Sequence, residues 1–140
     1  MKGLFKKNVF IILFFSLFTC LSFSKNIETG VRFEQITFEN AIIEAKKYNK
    51  LLFIDCYADW CGPCKILTRD FFTDEKVGEF YNQNFISLKM NMEEEEGIKL
   101  GELYSVTSYP TLLYINPHSL KVVYKAIGLS GVTNFAGTKS

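Results

Sequence analysis

Apolar positions along this chain fall into blocks with two different periods, and the blocks alternate. Phe38, Ala41, Ile42 and Ala45 recur at helical spacing, which predicts an amphipathic helix over Phe38 to Tyr48. Thr37 stands where an N-cap belongs, with Asn40 three residues on, and Asn49-Lys50 breaks the pattern. Leu51 to Tyr57 (LLFIDCY) is apolar nearly throughout, as in a strand covered on both faces. A helix is expected from Cys61 through Ile66, Leu67 and Phe71, then a helical turn from Asp74 holding Val77 and Phe80. Phe85 to Met92 alternates and reads as a second strand, parallel to the first. Glu93 to Glu96 leads into a helix carrying Ile98, Leu100 and Leu103. Thr111 to Ile115 and Val122 to Ile127 read as two strands joined into a hairpin by the turn Asn116-Pro117-His118-Ser119. Residues 25–34 are a polar lead-in, and Glu34 to Thr37 is expected as a short edge strand. The sum is an α/β fold: a mixed central sheet with helices on both faces.

The first 24 residues have a different character. Lys2, Lys6 and Lys7 precede the apolar run Val9 to Phe18, and Ser22 and Ser24 sit before a cut expected at Lys25. That is the pattern of a secretory signal peptide over residues 1–24. The run is shorter than the ~20 apolar residues of a membrane span. Leu17-Phe18-Thr19-Cys20 loosely resembles a lipobox, so a lipoprotein signal ending before Cys20 is the alternative. Either reading puts the protein outside the cytoplasm, periplasmic or anchored to the membrane facing the periplasm. Residues 25–140 then form one domain.

Charge changes the picture only after the leader is set aside. Of 16 Lys+Arg, three lie in the leader and 13 remain against 15 Asp+Glu, a formal charge of −2. No basic stripe or basic cluster with aromatics suggests nucleic acid. A monomer is expected.

Of four cysteines, Cys56, Cys61 and Cys64 remain in the domain. An odd, small number reads as one working pair plus a single thiol, not as a disulfide scaffold. The pair lies in Trp60-Cys61-Gly62-Pro63-Cys64-Lys65, directly after a predicted strand, which is the setting of a redox dithiol. Cys61 sits where the helix begins, so backbone N–H groups and the helix dipole favour its thiolate. As the sulfur expected to be more exposed, it attacks a substrate disulfide; Cys64, one turn deeper, resolves the mixed disulfide. Pro63 costs little in a first helical turn, and Gly62 leaves room for a partner's backbone. A zinc site needs four ligands, and Cys56 and His118 lie in unrelated elements, so no metal is expected.

The segment Phe53 to Lys65 (FIDCYADWCGPCK) resembles the active-site region of thioredoxins, and the likeness runs over roughly residues 33–128. It implies a thioredoxin-like fold and a thiol–disulfide oxidoreductase whose redox group is the Cys61–Cys64 disulfide, with no cofactor. It implies that Asp55 is the buried acid that relays a proton to or from Cys64, with Lys89 as its neighbour. Tyr109-Pro110-Thr111 matches a loop whose cis-proline pairs with substrate backbone, and Gly128 matches the glycine flanking the substrate groove. Trp60 and Tyr109 line that groove. Phe33-Glu34-Gln35, Lys46-Lys47, Asn49-Lys50-Leu51 and Phe72-Thr73-Asp74-Glu75-Lys76-Val77 are similar to the soluble thioredoxin-like domain of bacterial thiol:disulfide interchange proteins and their exported relatives. That implies protein disulfides as substrates and an upstream membrane electron donor, with contact to the membrane only through Cys20.

The chain departs from the family's pattern in three places. Residues 66–70 (ILTRD) lack the mid-helix proline, which predicts a straighter helix. Cys56 replaces an aromatic or aliphatic strand residue and reads as an inert core thiol. The tail Leu129 to Ser140 is a weak helix former, so the C-terminal helix is expected short or missing. The lead reading is a reductant of disulfides in exported proteins. The alternatives are an oxidase or isomerase of secreted proteins, a non-catalytic binding module, and a structural lipoprotein.

Overall fold

Residues 29–135 are described in the computed structural model. The leader and Cys20 lie outside them. Among the described residues no helix is long and apolar enough to cross a membrane.

The chain order is α1 (Phe38–Tyr48), β1 (Leu51–Tyr57), α2 (Gly62–Ile66), a π-helical turn (Leu67–Phe71), α3 (Glu75–Asn84), β2 (Phe85–Asn91), α4 (Glu95–Leu103), β3 (Thr111–Ile115), β4 (Val122–Ile127) and α5 (Gly128–Phe135). The four strands form one sheet in the order β2-β1-β3-β4. β1 runs parallel to β2, from Leu51 opposite Phe85 to Tyr57 opposite Asn91. It runs antiparallel to β3, and β3 to β4. The sheet is therefore mixed, as the sequence leads one to expect.

β1 is central, and its two faces divide the core. Leu52, Ile54 and Cys56 pack with Ile86, Leu88, Met90, Leu113 and Ile115 under Ala41 and Ala45 of α1 and Leu100 of α4. Phe53 faces the other way, among Leu67, Phe72, Tyr81, Phe85, Leu112 and Tyr114. Its ring centroid lies 4.7 Å from that of Tyr81, 5.2 Å from Tyr114 and 5.8 Å from Phe72. Such tilted and edge-on pairs add to the stabilisation from burial.

Local signals set the helix ends. Thr37 Oγ1 accepts the Asn40 N–H at 3.3 Å, and Asn49 ends α1 in the left-handed region at φ 53°. Asp74 Oδ1 accepts from the N–H groups of Lys76 and Val77 at 2.9 and 3.0 Å.

Several expectations change in the fold. The edge strand over 34–37 is reduced to a single parallel bridge between Phe33 and Ser87. The lead-in is held instead by Asn82, whose side chain accepts from Arg32 N and donates to Gly30 O. The turn from Asp74 is a ten-residue helix, and its inward ring is Tyr81, while Phe80 is half exposed. Ile98 and Leu103 also face outward; among the apolar positions proposed for α4, Leu100 is the buried one. β2 ends at Asn91, one residue before the expected Met92. The helix after the dithiol does not stay a regular α-helix: it widens into the π-turn, where Phe72 N–H donates to Leu67 O at 3.0 Å. No proline at 66–70 blocks that turn. The C-terminal helix is short but present, as α5.

Candidate functional site

The site is built at the C-terminal end of β1, where the chain leaves the sheet and turns into α2. Cys61 caps α2, and its Sγ accepts the Cys64 N–H at 3.2 Å. Gly62 and Pro63 form the first turn, and a Cβ on Gly62 would meet open space. Cys61 and Cys64 are joined in a disulfide with Cα atoms 5.3 Å apart. Both residues are 2% exposed, so the expectation that Cys61 is the more exposed is not met in this oxidised state. Ala58 is buried against the pair, with Tyr57 and Tyr109 packed beside it.

Of the proposed groove residues, Tyr109 packs against the disulfide cluster. Trp60 is 69% exposed and lies 5.9 Å from Tyr109 between ring centroids. The Tyr109–Pro110 peptide bond is cis. Pro110 is fully buried, and its carbonyl accepts the Gly128 N–H at 2.8 Å. Gly128 has φ 71°, which favours glycine, and opens α5. The segment carrying Trp60, Gly62 and Pro63 thus meets the Tyr109–Pro110 segment through the Trp60–Tyr109 contact, and Pro110 in turn holds Gly128.

Asp55 is fully buried, and among the described residues neither carboxyl oxygen has a hydrogen-bond partner. Burial raises its pKa from the usual 3.8 to about 7, and the nearby Lys89 ammonium pulls the other way. Parallel pairing sets Asp55 opposite Lys89, so both side chains leave the same sheet face. Lys89 Nζ stands 4.0 Å from Asp55 Oδ2, at the outer limit of an ion pair. It also lies 5.0 Å from the centre of the Tyr57 ring. Cys56, next in the strand, is a free buried thiol, and burial pushes its pKa up. That fits an inert core group.

Thr68 and Asn91 were not singled out from the sequence, and the contacts of Glu93 were not foreseen. Lys89 Nζ donates to Thr68 Oγ1 at 2.6 Å, and Thr68 Oγ1 donates to the Cys64 carbonyl at 3.0 Å. Thr68 is four residues after Cys64, the spacing that shares a helix face, and that is the signal that could have found it. Trp60 Nε1 donates to Glu93 Oε1 at 2.7 Å. Asn91 Nδ2 reaches Asp59 and Glu94 at 3.3 and 3.2 Å, tying the loop after β1 to the loop after β2. The acidic run makes tertiary contacts: Glu93 holds Trp60, and Glu96 accepts the first N–H of α1 from Phe38. A cleft of about 390 Å³ runs beside Cys64, lined among others by Asp59, Thr68, Arg69 and Lys89. Among the described residues, no group of three or more His, Cys, Asp or Glu side chains is arranged to hold a metal.

Comparison with known proteins bears on this arrangement. Thioredoxin-T of Drosophila melanogaster is 45% identical over 67 residues, which is 48% of this chain and 40% of that protein. Thioredoxin of Buchnera aphidicola is 34% identical over 79 residues, 56% of this chain and 66% of that protein. This chain thus spans less than two thirds of the length of both. The solution structure of a candidate disulphide-isomerase from Bacteroides thetaiotaomicron is 39% identical, with a TM-score of 0.65 over 80% of this chain and 98% of that one. These likenesses support thiol–disulfide oxidoreductase chemistry at the joined sulfurs, with the disulfide itself as the redox group. The family model described as thioredoxin-like matches residues 32–117, and with the site geometry this places the chain in the thioredoxin-like family.

Proposed function

We propose that this domain reduces disulfides of exported proteins. The observation that carries the reading is a Cys61–Cys64 disulfide at a helix start, linked through Thr68 and Lys89 to a buried Asp55 whose pKa is raised to about 7. In the reduced state the Cys61 thiolate attacks one sulfur of a substrate disulfide. The substrate S–S bond breaks, a mixed disulfide forms, and one substrate thiolate leaves. Asp55 accepts the Cys64 proton, with Lys89 beside it to offset the carboxylate charge that forms. The Cys64 thiolate then attacks the Cys61 sulfur, which closes the internal disulfide and frees the second substrate thiolate. Two electrons pass from the dithiol to the substrate. A membrane electron donor restores the dithiol in this reading.

Trp60, Gly62, Pro63, Tyr109, Pro110 and Gly128 receive the substrate's extended backbone around the disulfide. The exposed Trp60 ring supports that role, and a monomer leaves this surface open. Export rests on the leader pattern of residues 1–24. The mass of the mature N-terminus tests it: a start at Lys25 supports a cleaved signal, and a lipid-modified Cys20 supports an anchor.

The chemistry is tested by insulin reduction with dithiothreitol as electron source. Cys61→Ser should lose activity, and Cys64→Ser should trap a mixed disulfide with substrate. A folded wild-type chain without activity would overturn the reductase reading. A reduction potential near that of disulfide oxidants would favour the oxidase or isomerase alternative.

A further inference from the structure

Thr68 takes part in two hydrogen bonds that meet at one oxygen. Its hydroxyl proton goes to the Cys64 carbonyl at 3.0 Å, which leaves its lone pairs facing Lys89 Nζ at 2.6 Å. The ammonium is thus held on a neutral hydroxyl, while a carboxyl that accepts no hydrogen bond among the described residues lies 4.0 Å away. From this geometry we infer that Thr68 is a positioning residue: it restrains the Lys89 ammonium on the resolving cysteine's own helix and keeps it out of hydrogen-bonding contact with Asp55. The inference rests on the proposed proton-carrying role of Asp55 for its functional meaning, though not for its test.

The physical consequence follows from what else surrounds the carboxyl. Tyr57 and Cys56 on its own strand, Tyr81 of α3 and Tyr114 of β3 all have pKa values pushed up by burial, so they are neutral around pH 7. The Cys61–Cys64 disulfide carries no charge. Lys89 is the cation paired with the carboxyl, and its distance sets how far the acid is stabilised as an anion. Three other charged groups line the cleft. Arg69 is engaged with Asp70, Asp59 accepts from Asn91, and Lys65 repels an ammonium. An ammonium released from Thr68 therefore gains most by closing on Asp55. Closer contact would lower the acid's pKa and take it away from neutrality, where a proton carrier works best.

The test is a carbon-13 NMR titration of the Asp55 carboxyl in the oxidised full chain, in wild type, Thr68→Val and Thr68→Ser. Valine matches threonine in shape but has no hydroxyl, while serine keeps one. The expected result is a midpoint lowered by about one pH unit in Thr68→Val, with Thr68→Ser close to wild type. In a Lys89→Met background, Thr68→Val should then leave the midpoint where it is, because the effect acts through the lysine. A midpoint in folded Thr68→Val that is unchanged or raised overturns the inference, as does a downward shift that persists without Lys89. Near-ultraviolet circular dichroism establishes that each variant is folded. Because the titration needs no catalysis, a chain inactive toward insulin would end the reductase reading and still decide this one.

Discussion

Asp55 and Cys56 follow one another in β1, both fully buried, and the pleat sends them to opposite halves of the fold. Asp55 leaves the face that carries Lys89. Cys56 joins the apolar cluster under α1 and α4. One dipeptide thus supplies the site's buried acid and an ordinary core thiol.

Asp55 should make stability depend on pH. Its pKa is raised from 3.8 to about 7, so the folded state holds a proton that the unfolded chain loses. Its contribution is fully present below about 3.8, falls as pH rises to about 7, and is flat above. The drop is roughly 4 kcal/mol at most. Asp55→Asn should remove this slope and make the protein more stable at pH 8. Urea denaturation of both proteins at pH 4.5 and pH 8 checks it; equal pH dependence would contradict the assignment.

Cys56 should not react while the fold is intact. It is fully buried and its thiolate is disfavoured. Iodoacetamide followed by peptide mass spectrometry should find Cys56 unmodified in the native protein and modified in denaturant. Native labelling at rates like a free thiol would show that the cluster opens readily.

Phe53 should be among the costliest core positions to truncate. It is fully buried and touches the rings of Tyr81, Tyr114 and Phe72. Phe53→Ala is expected to destabilise by about 3–5 kcal/mol in equilibrium denaturation. A loss below about 1 kcal/mol would mean that the neighbouring rings close the gap.

Gly78 gives a case where helix propensity and packing oppose each other. Alanine is the better helix former by about 1 kcal/mol. A Cβ there would run into the backbone of Gly30, which Asn82 clamps from the same helix. Gly78→Ala should therefore destabilise, by about 1–3 kcal/mol. A rise in thermal midpoint would show that the lead-in can move aside.

Where the period of apolar residues reports a local choice, the sequence was sufficient. The bounds of α1, β1, β3 and β4 follow from patterning and punctuation, because alternation, helical spacing and caps act over a few residues. The redox pair was legible for the same reason: Cys-Gly-Pro-Cys after an apolar strand is a local arrangement. Asp55, Lys89, Pro110 and Gly128 were named only through family resemblance, since nothing local to each says that the others are near.

Tertiary packing decided what local pattern leaves open. Phe80 and Tyr81 are adjacent aromatics, and the contact with Phe53 and Tyr114 put Tyr81 inside. The stretch after Cys64 carries helix-compatible residues, yet it widens into a π-turn. Glu93 reads as one of four glutamates until the parallel register of β1 and β2 brings its loop beside Trp60. Nothing in the sequence marks Thr68 until Lys89, 21 positions away, meets its hydroxyl. The sequence by itself determined α1, the four strands of the sheet and the place of the dithiol, because each depends on neighbours along the chain. Only the tertiary structure decided which charge meets which acceptor, because those partners are brought together by sheet register and helix docking.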